Sequence, residues 1–214
     1  MLKVIIVDDH PLMRKGMALT LSSEMDIDVV AQASSAEEAL DMLKTLKPDA
    51  AVVDISLPGM NGIDLIRHLQ TFRPEIKALV VSRHDEELYA ERAIRAGAKG
   101  YLMKLEAGDV IVQAMRRIAS GGIYISEEIN NRLLMNMATG KTNKSHSPLE
   151  MLSDRELEVF ELIGKGKSTR EIADQLHVSV KTVETYRSRI KEKLNIGSAS
   201  ELMQQAVQWM SNGG

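Results

Sequence analysis

Three short apolar runs limit what the first half of this chain can fold into. Val4–Val7, Ala50–Val53 and Leu79–Val81 are continuous rather than alternating, which is typical of strands buried on both faces of a sheet. Val29–Ala31 and Tyr101–Met103 are predicted as two further strands. The helical patterns that separate and follow the strands lie near 11–23, 35–46, 60–71, 85–96 and 107–119. Together these elements predict a doubly wound five-stranded parallel α/β sheet.

Local signals support the predicted helices. Pro11 suits the first turn of a helix, and Ser35 with Glu38 forms a capping-box pattern. Gly97 is placed to end the fourth helix.

Carboxylates follow two of the predicted strands. Asp8 and Asp9 come directly after the first apolar run, and Asp54 follows the third. Open α/β sheets bind ligands at the carboxyl ends of their strands. If these two strands are neighbours, the three carboxylates meet in one pocket and repel each other unless a cation lies among them. A hard ion with oxygen ligands, such as Mg²⁺, fits this pattern.

Composition excludes several other classes of protein. The 214 residues contain no cysteine, which rules out disulfides, thiolate metal sites and a cysteine nucleophile. No apolar stretch approaches the roughly 18 residues that span a membrane. Met1-Leu2-Lys3 leads into a strand rather than a signal peptide, so we expect a cytoplasmic protein without membrane contact. The net charge of −3 implies that any nucleic-acid surface is local.

The pattern changes after residue 121. Ser120-Gly121-Gly122 interrupts the strand–helix alternation, Glu127–Met137 is compatible with one more helix, and Thr139–Pro148 is polar without periodicity. We therefore predict a first domain at 1–121, a linker with one helix at 122–148, and a second domain at 149–214.

The second domain is predicted to be all helical. Ser153, Ser168 and Ser198 each begin a Ser-x-x-Glu pattern ahead of an apolar helical repeat, and a fourth helix runs from near Ser179 to Leu194. Only His177-Val178 separates that helix from the one before it. Two helices joined by so short a turn predict a helix-turn-helix, at about 169–188.

The helix at 179–194 carries a basic stripe. It has five Lys or Arg against two Glu, whereas 149–214 as a whole has nine basic and ten acidic residues. Val183, Ile190 and Leu194 fall on one side, and Lys181, Thr185, Ser188 and Glu192 on the other. A short-chained polar face of this kind suits the major groove of DNA. Charge and periodicity alone fit a solvated face in a small bundle equally well, and the short turn with serial capping favours DNA.

At this point the chain resembles a known family over nearly its whole length. Residues 7–11 (Val-Asp-Asp-His-Pro), 54–62 (Asp-Ile-Ser-Leu-Pro-Gly-Met-Asn-Gly) and 100–104 (Gly-Tyr-Leu-Met-Lys) resemble a receiver domain with a flavodoxin-like fold. Residues 152–156 (Leu-Ser-Asp-Arg-Glu), 168–173 and 179–187 resemble a LuxR-type helix-turn-helix. In this order, the motifs resemble a two-component response regulator of the NarL/FixJ type.

The resemblance implies a role for each residue that matches a receiver motif. Asp54 would accept a phosphoryl group from a sensor histidine kinase, and Ser82 and Lys104 would each contact a phosphoryl oxygen. Tyr101 would change orientation as a switch. Mg²⁺, with Mn²⁺ as an alternative, would be held by Asp9, Asp54 and the backbone carbonyl of Ser56, with Asp8 acting through water. Such a protein is not an enzyme beyond its own phosphorylation and dephosphorylation.

The expected DNA contacts all lie on the second helix of the helix-turn-helix. Glu184, Thr185 and Ser188 are candidates for base edges. Other candidates, mainly for phosphate, are Lys181, Thr182, Tyr186, Arg187, Arg189, Lys191 and Lys193. One such module buries too little surface for tight specific binding, so we expect a homodimer on double-stranded promoter DNA. The resemblance adds the last helix as a dimer contact and RNA polymerase as a further partner, and phosphorylation would release or dimerise the DNA-binding domain.

Two other functions compete with this interpretation. A phosphatase of the haloacid-dehalogenase type also uses Mg²⁺ and an aspartate nucleophile, but it needs Asp-x-Asp after the first strand, where this chain has adjacent Asp8 and Asp9. A constitutive DNA-binding protein with an inactive receiver gains weight only from Arg83, which follows Ser82 where receivers often have a small residue. His10 and His84 are expected to be loop residues that modulate access to the phosphate.

Overall fold

The structure is a computed structural model that describes residues 1–139 and 148–211. The chain forms two compact units, Met1–Met135 and Asn136–Gly214. The stretch Thr139–Pro148, predicted as a polar linker, lies outside the described residues except at its two ends. The predicted domain boundaries at 121 and 149 stay predictions.

The first unit contains a single five-stranded parallel sheet. Its strands are β1 (Leu2–Val7), β2 (Ile27–Ala33), β3 (Ala50–Val53), β4 (Lys77–Ser82) and β5 (Gly100–Met103). Their order in the sheet is β2-β1-β3-β4-β5, and every neighbouring pair is parallel. The predicted fold class is therefore confirmed, and the strand order reverses between β1 and β3, where open sheets bind their ligands.

Five helices follow the strands in turn: α1 (Pro11–Ser22), α2 (Ala36–Met42), α3 (Gly62–Phe72), α4 (Glu86–Ala96) and α5 (Ala107–Ala119). Pro11 is the first residue of α1, the hydroxyl of Ser35 caps α2, and Gly97 ends α4 with a φ of 112°. The cap of α4 is Asp85, whose carboxylate accepts a hydrogen bond from the backbone N–H of Glu87 at 2.7 Å. Ser82, the other side chain near the start of α4 that could cap it, instead accepts a hydrogen bond from the backbone N–H of His84.

The strands are apolar throughout because both faces of the sheet are covered. Val4, Ile6 and Val52 point into the same cluster as Leu21 of α1 and Ile118 of α5. The alternate residues of these strands, such as Ile5 and Val53, are also at most 1% exposed. This double burial is what the continuous apolar runs predicted.

The segment after α5 extends the sheet. The backbone N–H of Tyr101 donates to the carbonyl of Tyr124 at 2.8 Å, and the N–H of Tyr124 donates to Lys99 at 2.9 Å. Helix α6 (Glu127–Thr139) then begins against α4, where Glu86 accepts a hydrogen bond from the backbone N–H of Ser126 at 3.0 Å. The free edge of β5 is thus paired rather than exposed.

The second unit is helical, as predicted. A short 3₁₀ turn (Pro148–Met151), which we did not predict, precedes α7 (Asp154–Gly164), α8 (Thr169–Gln175), α9 (Val180–Lys193) and α10 (Ala199–Ser211). Both halves of the capping box form at Ser153 and at Ser168. Helix α7 packs against α9 and α10, and α8 packs against α9.

Helices α8 and α9 form the predicted helix-turn-helix. The four residues between them are 176–179, and His177 takes a positive φ of 52°. Val183 and Ile190 of α9 are fully buried, as the helical wheel predicted, and Leu194 is partly buried. Along residues 1–139 and 148–211, no helix has both the length and the apolar character to cross a membrane.

Candidate functional site

The strand register places the predicted carboxylates side by side. Val7 of β1 pairs with Val53 of β3, so Asp8 and Asp54 leave the sheet next to each other. The backbone N–H of Asp54 donates to Val7 at 2.8 Å, which continues the pairing by one residue. Asp8 is 0% exposed and Asp54 3% exposed, and one ligand atom from each of Asp8, Asp9, His10 and Asp54 lies within 4.8 Å of the others.

Lys104 lies directly against this cluster. The pairing of β4 with β5 sets Met103 beside Ser82, and the backbone N–H of Lys104 donates to the carbonyl of Ser82 at 2.8 Å. From that position its Nζ lies 2.7 Å from Oδ2 of Asp54 and 2.7 Å from Oδ2 of Asp8. A buried ammonium shared by two carboxylates partly neutralises them and is positioned to meet further negative charge.

The electrostatics of the pocket favour a bound cation. Burial raises the pKa of Asp54 above its ordinary value, Lys104 opposes this shift, and the neighbouring Asp8 adds to it. Three carboxylates and one lysine leave a net negative charge. Oδ2 of Asp8 lies 2.7 Å from Nζ of Lys104, and Oδ1 of Asp9 lies 2.5 Å from Nδ1 of His10. Several carboxylate oxygens gathered in a site of net negative charge fit the hard oxygen-ligand ion Mg²⁺.

A glycine closes the loop after Asp54. The N–H of Gly62 donates to the carbonyl of Ile55 at 2.9 Å. A Cβ on Gly62 would lie 1.9 Å from the carbonyl oxygen of Asp54. No side chain fits in so close an approach, so the return of the chain to α3 depends on glycine.

Ser82 and Tyr101 line the other side of the site. Ser82 is fully buried at the end of β4, and its Oγ accepts a hydrogen bond from the backbone N–H of His84 at 3.2 Å. Tyr101 is 1% exposed, and its hydroxyl donates to the carbonyl of His84 at 2.7 Å. The two residues that the resemblance couples are thus both bonded to one loop residue.

Two histidines contribute more to the site than the sequence indicated. Nδ1 of His10 lies 2.5 Å from Oδ1 of Asp9, so His10 belongs to the acidic cluster. His84 is hydrogen-bonded through Nε2 to Oγ of Ser56 at 2.8 Å. The position of His10 next to Asp9 in the sequence could have indicated that it joins the acidic cluster. Nothing in the sequence indicated the contact between Ser56 and His84, which are 28 residues apart.

On the second unit, the α9 residues that the helical periodicity assigns to the outer face are exposed or partly exposed. Lys181, Glu184, Thr185, Ser188, Arg189 and Lys193 are exposed, and Thr182, Tyr186, Arg187 and Lys191 are partly exposed. The hydroxyl of Thr182 is joined to that of the N-cap Ser179 at 2.7 Å. Thr185 donates its hydroxyl hydrogen to the carbonyl of Lys181 at 2.9 Å, which leaves its oxygen able to accept.

Lys193 has a partner within the domain. Its Nζ lies 2.6 Å from Oε2 of Glu156, the buried capping-box residue of α7. Burial acts to raise the pKa of Glu156, but hydrogen bonds from Lys193 and from Ser153 outweigh it and hold the pKa below its ordinary value. This ion pair joins the end of α9 to the start of α7.

The chain combines an acidic pocket with a buried lysine on a doubly wound sheet and, in the second unit, a helix-turn-helix. These features define a class of protein: a DNA-binding regulator that carries its own input domain. Residues 4–116 match the response regulator receiver domain, and residues 150–206 match the luxR family of bacterial regulatory proteins. The chain therefore belongs to the two-component response regulators of the NarL/FixJ type.

Relatives match over nearly the full length. The response regulator GacA of Pseudomonas aeruginosa is 38% identical over 207 residues, which cover 97% of this chain and 96% of that protein. The oxygen regulatory protein NreC of Staphylococcus carnosus is 34% identical over 210 residues, covering 96% and 97%. The structure of RcsB from Salmonella enterica serovar Typhimurium bound to promoter rprA has a TM-score of 0.62 at 23% identity, covering 95% of this chain and 96% of that one, and it supports the fold.

Proposed function

We propose that Asp54 is the phosphoacceptor of this response regulator and that its phosphorylation, with Mg²⁺ bound, raises the affinity of the chain for promoter DNA. The observation that carries the proposal is the position of Lys104, whose Nζ bridges Asp54 and Asp8 at 2.7 Å each in a buried site. The family consists of transcription regulators, so the phosphatase alternative is set aside.

The transfer needs charge neutralisation more than new covalent chemistry. An oxygen of Asp54 forms a bond to phosphorus while the P–N bond of the donor's phosphohistidine breaks, and its electron pair stays on the imidazole nitrogen, which takes a proton. Lys104 and Ser82 would each receive one of the phosphoryl oxygens. Bound Mg²⁺, held by Asp9, Asp54 and the Ser56 carbonyl with Asp8 through water, would neutralise the third. Mn²⁺ has the same ligand preference.

The kinase partner would dock beside this pocket. A groove of about 640 Å³ lies between α1 and the start of α5 and shares His10, Arg83 and Lys104 with the rim of the site. Leu12 and Leu105 line it although they are 87% and 94% exposed. Apolar side chains that exposed are typical of a surface that a partner covers. We therefore place the helix that carries the donor histidine of the sensor kinase in this groove.

On DNA, we propose that α9 enters the major groove. Glu184, Thr185 and Ser188 would read base edges, and Lys181, Arg187, Arg189 and Lys191, with Thr182 and Tyr186, would contact the backbone. Lys193 would serve mainly the domain itself, because Glu156 holds its ammonium. A homodimer on two half-sites, contact with RNA polymerase and a cytoplasmic location complete the proposal.

The deciding experiment measures phosphorylation directly. The full chain is incubated with acetyl phosphate, with and without Mg²⁺, and separated on a phosphate-affinity gel. We expect a shifted band that needs Mg²⁺, is lost in Asp54→Asn and persists in Asp64→Asn. Asp64 is a matched control because it is a half-exposed carboxylate on α3 paired with Arg67. A Mg²⁺-dependent band that survives Asp54→Asn would refute the assignment.

The DNA half of the proposal is tested on the same preparations. Selected binding sites are titrated with phosphorylated and unphosphorylated protein over a range of salt. We expect tighter binding after phosphorylation, with the difference absent in Asp54→Asn. Equal affinity in both states would separate DNA binding from the receiver.

A further inference from the structure

His10 stands at the start of helix α1 without acting as its cap. It occupies the N-cap position, with φ −84° and ψ 107°, and its side chain makes no capping hydrogen bond. Asn, Asp, Ser and Thr are the residue types that cap helices well, so capping does not explain a histidine at this position. Pro11 restricts the residue before it to extended backbone, which limits the directions in which the His10 side chain can point.

The imidazole of His10 directs its Nδ1 into the acidic cluster. The side chain is 43% exposed, yet Nδ1 itself is buried. This atom lies 2.5 Å from Oδ1 of Asp9 and 3.5 Å from Oδ1 of Asp8. Asp8, Asp9, His10 and Asp54 each offer one ligand atom, and these atoms all lie within 4.8 Å of one another. Ligand atoms this close together can surround a single ion.

The carboxylates of the cluster differ in how many donors they already contact. Oδ1 of Asp8 accepts a hydrogen bond from the backbone N–H of His10 at 2.8 Å, and Oδ2 of Asp8 lies 2.7 Å from Nζ of Lys104. Oδ2 of Asp54 lies at the same distance from that Nζ. Both oxygens of Asp8 and one oxygen of Asp54 are thus engaged. The side of the cluster around Asp9, where Nδ1 of His10 lies, has the most capacity left for an ion.

Resting on the proposed metal site of the phosphorylation pocket, we propose that Nδ1 of His10 is a ligand of the bound ion and adds one nitrogen to its oxygen ligands. Imidazole nitrogen suits first-row transition ions such as Fe²⁺, Ni²⁺ and Zn²⁺, whereas Mg²⁺ takes oxygen ligands. His10 is thus a residue that determines metal specificity, and it shifts the preference of the site from Mg²⁺ toward transition ions. The supply of such ions then becomes a second input to the pocket, besides the phosphoryl donor.

The competing role for this histidine is to hold Asp9 in place. In that role an N–H at Nδ1 donates to Oδ1 of Asp9, and another side chain with an N–H at the same position would replace it. Asparagine separates the two roles, because its amide nitrogen can donate to a carboxylate but does not bind a metal ion. His10→Asn therefore keeps a positioning contact, or offers an oxygen to the ion, and removes only the nitrogen ligand.

The experiment uses the full chain without an affinity tag and Mn²⁺ as the probe. Electron paramagnetic resonance of free Mn²⁺ gives its affinity, and displacement by Mg²⁺ or Ni²⁺ gives the affinities of these ions for the same site. Mg²⁺ and Ni²⁺ are close in size, so the ratio of their affinities reports the ligand atoms. We expect His10→Asn to lower the preference for Ni²⁺ over Mg²⁺ by about tenfold or more, since changes around metal ligands typically cost that much affinity. Pulsed measurements on bound Mn²⁺ should show coupling to a directly bound nitrogen nucleus in the wild type and not in His10→Asn.

A matched histidine provides the control. His68 of α3 is also partly exposed, but it packs on Phe72 with ring centroids 4.5 Å apart, and His68→Asn should leave the affinity ratio and the nitrogen coupling unchanged. If the wild type shows no nitrogen coupling, or His10→Asn keeps the wild-type ion preference, the role of His10 is overturned while the metal site stands. If Mn²⁺ fails to bind the wild type, or binds Asp54→Asn equally well, the proposed metal site itself is overturned.

Discussion

The ion pair between Lys193 and Glu156 gives a prediction that separates stability from DNA binding. Lys193→Met removes the ammonium but keeps most of the aliphatic chain. Glu156 then remains buried, with a 3% exposed side chain, and keeps its bonds to Ser153. Lys191→Met is the matched control, because it removes the same charge from the same helix two residues earlier.

The magnitude follows from the geometry. A hydrogen bond to a charged group contributes about 1.5–3 kcal/mol to the free energy of unfolding. The side chain of Lys193 is 39% exposed, so solvent screens part of this, and we expect a loss of about 1–2 kcal/mol. With a urea m-value of about 1 kcal/mol/M, the unfolding midpoint falls by about 1–2 M. Lys191→Met should lower it by less than about 0.5 M.

The single tryptophan makes this measurable in the full chain. Trp209 lies in α10 and packs near Phe160 of α7, with ring centroids 6.0 Å apart, so its fluorescence follows unfolding of the second unit. The pKa of Glu156 is lowered in the folded state, so the stabilisation is complete above the ordinary pKa of 4.5 and is lost as the pH falls through the lowered value. The difference between wild type and Lys193→Met should disappear in the same acidic range.

DNA binding should show the opposite pattern. Lys191→Met is expected to weaken binding to all sequences and to reduce the slope of log affinity against log salt by about one unit, whereas Lys193→Met should leave the slope unchanged. If the two variants lose stability equally and without pH dependence, the ion pair does not form in solution. If Lys193→Met reduces the salt slope, Lys193 contacts phosphate after all.

Three further outcomes follow from the receiver site. Without Mg²⁺, Asp54→Asn should be more stable than wild type at pH 7. The pKa of Asp54 is raised in the folded state, so folding disfavours its ionised form. The denaturation curves of the variant and the wild type should therefore converge as the pH falls toward 3.8. Lys104→Met should lower the free energy of unfolding by about 3–5 kcal/mol, because Asp8 and Asp54 lose the ammonium between them. Saturating Mg²⁺ should restore part of this stability in a thermal melt. A melting temperature that does not respond to Mg²⁺ would contradict the metal site. Gly62→Ala should prevent folding or displace Asp54, whereas Gly16→Ala, with nothing within 4 Å of the new Cβ, should be neutral or stabilising by circular dichroism.

The sequence by itself determined the elements and the coarse site. Continuous apolar runs predicted strands buried on both faces, and Ser-x-x-Glu patterns predicted helix starts, because these signals depend on periodicity and on bonds within a few residues. The carboxylates could be grouped because a parallel sheet brings strand ends to one edge. Asp8 and Asp54 are 46 residues apart in sequence, yet topology alone placed them together.

Local signals leave the cap of α4 undecided. Ser82 and Asp85 both lie near the start of this helix, and the structure shows that Asp85 caps it while the hydroxyl of Ser82 accepts a hydrogen bond from the backbone N–H of His84. Both residues have suitable side chains, and only the path of the loop decides between them.

The tertiary structure decided which partner each polar side chain has. Ser56 bonds to His84, Lys193 bonds to Glu156, and the backbone of Tyr124 pairs with the edge of β5. None of these pairs has a period or a spacing, since each joins separate elements whose relative position is set by core packing. Periodicity fixes the face on which a side chain lies. Its hydrogen-bond partner depends on differences of a few tenths of an ångström between donor–acceptor distances, which only the packed chain defines.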